Sequence, residues 1–430
     1  MQENGQKKYE FIKEKRKEIP VNKKKVALQT GYVLAMALLF GVVASFVIAF
    51  LQPKIEGALY PKQDEFVSIP EDEPTDTETA DETDTVDTEV TTELAGEEPI
   101  DMVYWQPTIE DYQALQSQLY AIGREANRFV VTVTGIQSNT DWFNNPYENR
   151  DEASGIIIAN NSQELLILTE KKVIASAQEI YVTFINDVTV HAAMKQYDGN
   201  TGIAILSVAL SDLEQETLNA ITIAKLGNSL SIPQGTLAIA VGSPMGMNFS
   251  ILTGNVTSTT NTISTVDANY NVFTTDIVAS ESGSGALLNV KGEVIGIVMQ
   301  DYSRQGDANT LTAVSISDLK TLIEKLSNGN EVAYLGLGIS TVTAEIEKAY
   351  DIPKGVYIKE VKMDSPAMNA GLQSGDVITE MDGVAVLDEA TYERRMLQVK
   401  PGDKVRVIIK RQSSDGYVSI RCDVEASKLQ

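Results

Sequence analysis

The sequence predicts a mostly β protein with two folded units, preceded by a membrane-spanning helix and an acidic segment without a core of its own. Three observations lead to this prediction. The 430 residues, 43% of them hydrophobic, are enough for two packed domains and non-globular extras. A long run near the N-terminus carries no charge. Short apolar runs separated by Gly, Asn and Asp turns recur through the rest, as is typical of β barrels and sandwiches.

The N-terminal region predicts a membrane anchor. Residues 1–25 hold nine Lys and Arg against four Glu and are expected to form a basic cytoplasmic tail. Residues 26–51 hold no charge and would extend about 39 Å as a helix, enough to cross a hydrocarbon core of about 30 Å. A cleaved signal peptide has a shorter apolar region and a small-residue cleavage site, and a core helix is seldom so long and uniform. We therefore expect a single-pass protein of the cytoplasmic membrane with its globular part outside.

Residues 52–105 are predicted to be a disordered acidic stalk. Between residues 63 and 101 there are sixteen Asp and Glu and no Lys or Arg, which leaves too little apolar surface to offset the entropy of ordering. This stretch holds most of the formal net charge of −25, so nucleic acid is not an expected partner. The chain has one cysteine, Cys422, and one histidine, His191, so neither a disulfide framework, a metal cluster nor a cofactor is expected.

Residues 106–328 are predicted to form the first folded unit. A helix should start this unit over residues 108–127, with Thr108 as N-cap and Asp111 three residues later. A second helix, residues 317–326, should close it, because Leu319, Leu322, Ile323 and Leu326 share one face. The apolar runs between them predict strands at residues 129–134, 155–158, 165–168, 180–184, 202–206, 236–241 and 294–298.

Several motifs in this unit occur in the order found in one enzyme family. They are residues 154–158 (SGIII), 226–229 (LGNS), 240–246 (AVGSPMG), 280–289 (SESGSGALLN) and 291–297 (KGEVIGI). Together they resemble trypsin-like serine proteases of the HtrA/Deg family over roughly residues 125–327. The resemblance implies a trypsin-like double β-barrel, with the nucleophile loop at residues 280–289.

The resemblance also locates the catalytic positions, and they do not hold the usual triad of histidine, aspartate and serine. Lys172 occupies the position of the histidine base, and Gly202 that of the orienting aspartate. The nucleophile position is Gly283 when counted back from residues 286–289, and Ser284 when counted forward from residues 275–276. His191 lies nearly twenty residues beyond the base position and is predicted to be an ordinary strand residue. We therefore expect no intact triad.

A serine protease with a lysine base is the alternative, with Lys172 activating Ser284. Such a base needs its pKa lowered from about 10.4 by burial or a neighbouring cation. Lys171 would lower the pKa of Lys172, whereas Glu170 would raise it. The sequence is compatible with two alternatives. One is a catalytic dyad of Lys172 and Ser284, and the other is a solvated lysine in a site that has lost its catalytic function.

Residues 332–426 resemble a PDZ domain. Residues 355–358 (GVYI) and 365–378 (SPAMNAGLQSGDVI) match long motifs of that family, and residues 390–397 predict the helix beside its peptide groove. Residues 334–337 (YLGL) resemble its carboxylate-binding loop, where successive N–H groups hold a chain terminus while the peptide adds as a strand. The residues predicted to bind peptide are Tyr334, Leu335, Gly336, Leu337, Gly338 and Ile339.

The sequence thus favours a catalytically inactive protease homologue that binds unfolded or C-terminal peptide segments through its PDZ domain, in envelope quality control, scaffolding or regulation. The competing hypothesis is an active endopeptidase using Ser284 with a non-standard base such as Lys172. A third is a regulatory subunit that assembles as a homotrimer or with an active relative, as the resemblance allows. A PDZ domain that only packs against the barrel is also compatible with the pattern.

Overall fold

The computed structural model describes Tyr32, Met36 and residues 66–72, 107–140, 146–303 and 309–429. The described residues from 66 to 429 belong to one compact unit. No helix among the described residues is long and apolar enough to cross a membrane. Apart from Tyr32 and Met36, the predicted cytoplasmic tail and membrane span lie outside the described residues, as does most of the predicted stalk.

The lead-in helix is present as predicted. Helix α1 runs over Ile109–Ala126, and Thr108 caps it with its side chain accepting from the Asp111 backbone N–H. The Asp111 carboxylate accepts in turn from the Thr108 N–H at 2.8 Å, which completes a capping box. The helix buries Leu119, Gly123 and Ala126 against the protease-like core.

The first sheet of this domain has seven antiparallel strands. Its order is β5-β4-β1-β2-β3-β7-β6, so the edges are β5 and β6. Strands β3 and β7 are almost continuously apolar and buried, as expected of strands covered on both faces. The strands are β1 (Val130–Thr140), β2 (Pro146–Asn160), β3 (Glu164–Glu170), β4 (Glu179–Thr183), β5 (Thr189–His191), β6 (Ala193–Tyr197) and β7 (Ile203–Ala209), with short helices α2 (Lys171–Ile174) and α3 (Gln215–Ala220).

The second sheet closes into a six-stranded barrel in the order β10-β13-β12-β11-β8-β9. Helix α4 (Ile316–Ser327) follows the last strand, confirming the predicted closing helix. The long β9–β10 hairpin was not among the predicted strands, because its Thr- and Asn-rich sequence has few apolar residues. The strands are β8 (Leu237–Ser243), β9 (Ser250–Ser264), β10 (Asn269–Val278), β11 (Ser284–Leu288), β12 (Val294–Met299) and β13 (Thr310–Ser315).

The C-terminal domain has a hydrophobic core of its own. Its main sheet has the order β15-β16-β17-β19-β20, which leaves β15 at an edge, while β18 pairs with β17 and β14 with β21. Its strands are β14 (Ala333–Tyr334), β15 (Leu337–Thr341), β16 (Val356–Val361), β17 (Val377–Met381), β18 (Val384–Ala385), β19 (Lys404–Ser413), β20 (Gly416–Glu425) and β21 (Ser427–Lys428). Its helices are α5 (Ala344–Tyr350), α6 (Pro366–Asn369) and α7 (Glu389–Gln398).

One short part of the predicted stalk differs from the expected disorder. Residues 66–72, hereafter the strap, lie along α4 and contact it through hydrogen bonds. Val67 exchanges two hydrogen bonds with the Asn328 side chain, at 3.0 and 2.8 Å. Asp72 pairs with Lys320 at 2.7 Å, and both side chains are largely buried. The strap is ordered because it combines apolar residues that pack on the core with a carboxylate that meets a buried cation.

Candidate functional sites

Lys172 and Gly202, which the sequence predicts at the base and orienting positions, lie next to each other. Lys172 lies in α2, and Gly202 ends the turn that leads into β7. The backbone N–H of Lys171 donates to the Gly202 carbonyl at 2.7 Å, which joins the two segments. Gly202 has a φ of +77°, in the left-handed region that favours glycine. The orienting position therefore has no carboxylate to offer.

Lys172 is held by two carboxylates. Its Nζ lies 2.7 Å from Glu170 Oε2 and 3.2 Å from Asp301 Oδ1. Partial burial lowers the pKa of Lys172, but the hydrogen bonds and charges of Glu170 and Asp301 outweigh that effect, and the pKa lies above its ordinary value. A lysine with a raised pKa keeps its proton near neutral pH. This environment is the opposite of the one that a lysine base requires.

Glu170 is a buried carboxylate with an incomplete set of partners. The residue is 4% exposed, and its Oε1 has no hydrogen-bond donor among the described residues. Burial raises the pKa of Glu170, against the lowering effect of Lys172. The hydrogen bond and charge of Lys172 therefore favour the ionised form of Glu170, against the effect of burial.

Within the predicted nucleophile loop, residues 280–289, Gly283 precedes β11 and Ser284 is the first residue of that strand. A Cβ placed on Gly283 would lie 2.7 Å from the Pro244 carbonyl oxygen and 2.9 Å from that of Ser280, so no side chain fits in this loop conformation. The Ser284 side chain is directed into the protein. Its Oγ accepts a hydrogen bond from the Ser154 backbone N–H at 2.9 Å, and the residue is 1% exposed.

His191 lies apart from these residues. It is an exposed residue of the edge strand β5, and its ring meets the Tyr181 ring edge-on at a centroid distance of 5.8 Å. Its position agrees with the prediction of an ordinary strand residue.

The PDZ loop holds a carboxylate. The backbone N–H groups of Leu335 and Gly336 both donate to Asp267 Oδ2 at 2.8 Å, and that of Leu337 donates to Asp267 Oδ1 at 3.0 Å. Gly336 has a φ of +96°, and a Cβ there would lie 2.2 Å from Ser365 Cβ. Only glycine therefore allows the loop to turn its N–H groups toward one point.

Asp267 comes from the protease-like domain, at the tip of the β9–β10 hairpin. Its own N–H donates to the Leu337 carbonyl at 2.7 Å, and Tyr392 of α7 donates its hydroxyl to Asp267 Oδ1 at 2.8 Å. Burial raises the pKa of the Asp267 carboxyl, although the hydrogen bonds from the loop and from Tyr392 act in the opposite direction. Sequence reasoning missed both Asp267 and Tyr392. The one local signal was an Asp in a four-residue turn between two Thr-rich segments.

The rest of the predicted peptide site forms the edge of the sheet. Strand β15, which includes Gly338 and Ile339, pairs with β16 on one side and is the last strand on the other. The side chains of Leu335, Leu337 and Ile339 are completely buried in the domain core. Tyr334 precedes the loop in β14 and is partly exposed. Strand β15 thus forms a sheet edge beside α7, at which the Leu337 carbonyl accepts from the Asp267 N–H.

Comparison with known proteins assigns the two domains. Residues 153–297 match the family described as a trypsin-like peptidase domain, and residues 333–421 match the PDZ domain. The fold resembles the solved structure of the HtrA-type protease AlgW with a tripeptide, at 21% identity and a TM-score of 0.53, covering 72% of this chain and 97% of that one. It also resembles AlgW with a decapeptide, at 22% identity and a TM-score of 0.52, covering 73% of this chain and 99% of that one. The class is therefore a mostly β, trypsin-like peptidase fold followed by a PDZ domain.

Within that class the chain is similar to proteins named HtrA and DegP-like. It is 28% identical over 297 residues to a serine protease Do-like HtrA of Lactobacillus helveticus, covering 65% of this chain and 70% of the relative. It is 30% identical over 279 residues to a probable periplasmic serine endoprotease DegP-like of Halomonas elongata, covering 64% and 56%. It is 28% identical over 278 residues to a serine protease Do-like HtrB of Bacillus subtilis, covering 60% of this chain and 59% of the relative. The chain thus spans little more than half the length of the latter two.

Proposed function

We propose that this protein is an extracytoplasmic HtrA/Deg-like protein that binds peptide C-termini through its PDZ loop and has lost the proteolytic chemistry of its relatives. The observation that carries the proposal is the convergence of the Leu335, Gly336 and Leu337 N–H groups on a carboxylate. Three such donors recognise a chain terminus without regard to its sequence. The edge strand β15 offers the backbone groups that would align the preceding residues.

Three features support loss of proteolysis. Lys172, at the base position, has a raised pKa and is paired with two carboxylates. Gly202 supplies no orienting group. Ser284 is buried with its Oγ accepting from a backbone N–H, and Gly283 has no nucleophile. Since loss of triad members costs orders of magnitude in turnover, hydrolysis at a useful rate is not expected.

Incubation of the full chain with unfolded casein tests this part of the proposal. We expect no peptide release above that of the Ser284→Ala variant. The competing hypothesis, an endopeptidase using Ser284 and Lys172, predicts release that disappears in both Ser284→Ala and Lys172→Met. A fluorophosphonate probe gives an independent result, because labelling at Ser284 would show an activated hydroxyl and overturn the proposal.

Peptide binding is tested by comparing a peptide with a free apolar C-terminus with its amidated form. The amide lacks the charge that the loop holds, so we expect the full chain to bind it at least tenfold more weakly than the free acid. Equal affinity for the two peptides would remove the carboxylate loop from the proposal.

We further propose that residues 26–51 anchor the chain, with the folded domains outside the membrane, in accord with relatives named as periplasmic endoproteases. An alkaline phosphatase fusion at the C-terminus should be active in a bacterial host, and an inactive fusion would indicate the opposite orientation.

A homotrimer, or a complex with an active relative, is the proposed assembly. Light scattering of the detergent-solubilised chain, alone and mixed with such a relative, would detect either.

A further inference from the structure

We infer that Asp267 is an internal ligand of the PDZ domain, so that a peptide C-terminus binds only by displacing it. The inference rests on the proposed peptide-binding function, because it concerns the same loop. It adds that this loop is already occupied by a residue of the neighbouring domain.

The hydrogen bonds of Asp267 reproduce those that a bound chain terminus would make. A terminus added beside β15 would give its carboxylate to the loop N–H groups and a backbone N–H to the strand. Asp267 does both, since its side chain accepts from the N–H groups of Leu335 to Leu337 and its own N–H donates to the Leu337 carbonyl. The hydroxyl of Tyr392 supplies a fourth donor. One set of donors cannot hold two carboxylates, so the two ligands exclude each other.

The hairpin tip makes further hydrogen bonds on both sides of Asp267. Asn200 Nδ2 donates to the Val266 carbonyl at 2.7 Å and to Thr265 Oγ1 at 2.9 Å, and its Oδ1 accepts from the Val266 N–H at 3.1 Å. On the other side, the Asn269 N–H donates to Glu393 Oε1 of α7 at 2.7 Å. The Asn200 contacts lie within the protease-like domain, so they restrain the tip by themselves and lower the entropy cost of placing Asp267 in the loop.

The backbone at Asp267 suits this role. Its φ of +60° lies in the left-handed region, which Asp and Asn adopt more readily than most residues. The left-handed turn allows the backbone N–H and the side-chain carboxylate to reach the same loop. An apparent peptide affinity is reduced by the fraction of molecules in which the site is free, so removing the internal ligand should raise it.

The test uses the full chain in detergent and a fluorescent peptide ending in a free valine carboxylate, measured by anisotropy. Asp267→Asn keeps a residue that tolerates the left-handed turn but removes the charge and places an amide against the loop donors. We expect this variant to bind the free-acid peptide at least tenfold more tightly than the parent chain does. Its affinity for the amidated peptide should equal that of the parent chain. The matched control is Asp187→Asn, at an exposed left-handed turn with a φ of +62°, which should leave the affinity unchanged.

A second variant covers failure of Asp267→Asn to fold. Asn200→Ala loosens the hairpin tip without touching the PDZ loop, and it should raise the affinity in the same direction by a smaller factor. Amide hydrogen exchange gives an independent measurement. The N–H groups of Leu335, Gly336 and Leu337 should be protected in the parent chain and exchange faster in Asp267→Asn.

The outcomes separate the two claims. If the parent chain and Asp267→Asn bind the free-acid peptide equally and both reject the amide, Asp267 is not an internal ligand, while the proposed function stands. Exchange of the three loop amides at the same rate in both chains would also overturn the inference. If neither chain binds the peptide, the proposed function fails, and the competition fails with it.

Discussion

At the scale of single residues, Ser284 and Lys172 have structural partners where catalytic ones would be expected. Ser284 Oγ satisfies a buried backbone N–H, and Lys172 neutralises a buried carboxylate. Replacing a residue that has a buried hydrogen-bond or ion-pair partner lowers the stability of the folded state, whether or not that residue takes part in catalysis.

Replacing Ser284 by Ala removes the acceptor of the Ser154 N–H. A buried donor left without a partner costs about 1–3 kcal/mol. The urea midpoint of unfolding of Ser284→Ala should fall accordingly. Ser282→Ala, at an exposed position in the same loop, should stay within about 0.5 kcal/mol of the parent chain. Equal stability of both variants would mean that the Ser284 hydrogen bond is not made in solution.

Replacing Lys172 by Met leaves the Glu170 carboxylate buried without its cation. Because Lys172 is itself 40% exposed, we expect a loss of about 1–2 kcal/mol at neutral pH, less than for a fully buried pair. The raised pKa of Glu170 means that the carboxyl becomes neutral on acidification, so the defect should shrink as the pH falls toward 4.5. The double variant Glu170→Gln, Lys172→Met should recover most of the loss. Lys225→Met, which breaks an exposed pair, is the control and should have little effect.

At the scale of elements, the β9–β10 hairpin and helix α7 bring carboxylates of both domains into one partly buried region. Glu393 of α7 accepts from the Asn269 N–H of the hairpin, and Asp318 of α4 accepts from the Asn271 N–H at 2.7 Å. Burial, with smaller contributions from Glu389 and Asp318, raises the pKa of Glu393 to about 8. The folded chain therefore holds a proton here that the unfolded chain releases near pH 4.5.

This proton makes stability depend on pH. Between about pH 4.5 and 8 the folded state binds more protons at Glu393 than the unfolded state does. The contribution of Glu393 to the free energy of unfolding therefore decreases as the pH rises, by up to about 1.4 kcal/mol per pH unit. We expect the melting temperature of Glu393→Gln to fall less across this window than that of the parent chain. Glu347→Gln, at an exposed position in α5, should retain the parent's pH dependence. Parallel profiles for all three proteins would contradict the assignment.

The same elements show how far sequence reasoning reached. Runs rich in Val, Ile and Leu, such as those of β3, β7 and β12, predicted strands correctly, because burial of both faces requires apolar residues throughout. The β9–β10 hairpin was missed because its half-exposed strands are built from Thr, Ser and Asn. The loop at Gly336 could be located from its motif. Its partner Asp267 could not, since it lies 69 residues away and only the packing of two domains brings it there.

At the scale of the whole molecule, the strap attaches an N-terminal segment to α4. Its strongest contact is the pair between Asp72 and Lys320, whose side chains are 12% and 6% exposed. Asp72→Asn leaves the Lys320 charge buried, and we expect a loss of about 2–4 kcal/mol, seen as a lower urea midpoint. Glu71→Gln, which alters an exposed neighbour that contacts Thr321, should change stability by less than about 0.5 kcal/mol. If both variants lose a similar amount of stability, the effect comes from removing any negative charge of the strap and not from breaking the buried pair.

The strap has a consequence for cleavage of the chain by other proteases. It lies before residues 73–106, and α1 begins after them, so both ends of that acidic segment are held by the same folded unit. A single cut within residues 73–106 would break the chain but leave the N-terminal fragment bound through residues 66–72. After limited proteolysis the two fragments should therefore migrate together on a native gel and separate only in denaturant, whereas Asp72→Asn should release the folded domains after one cut.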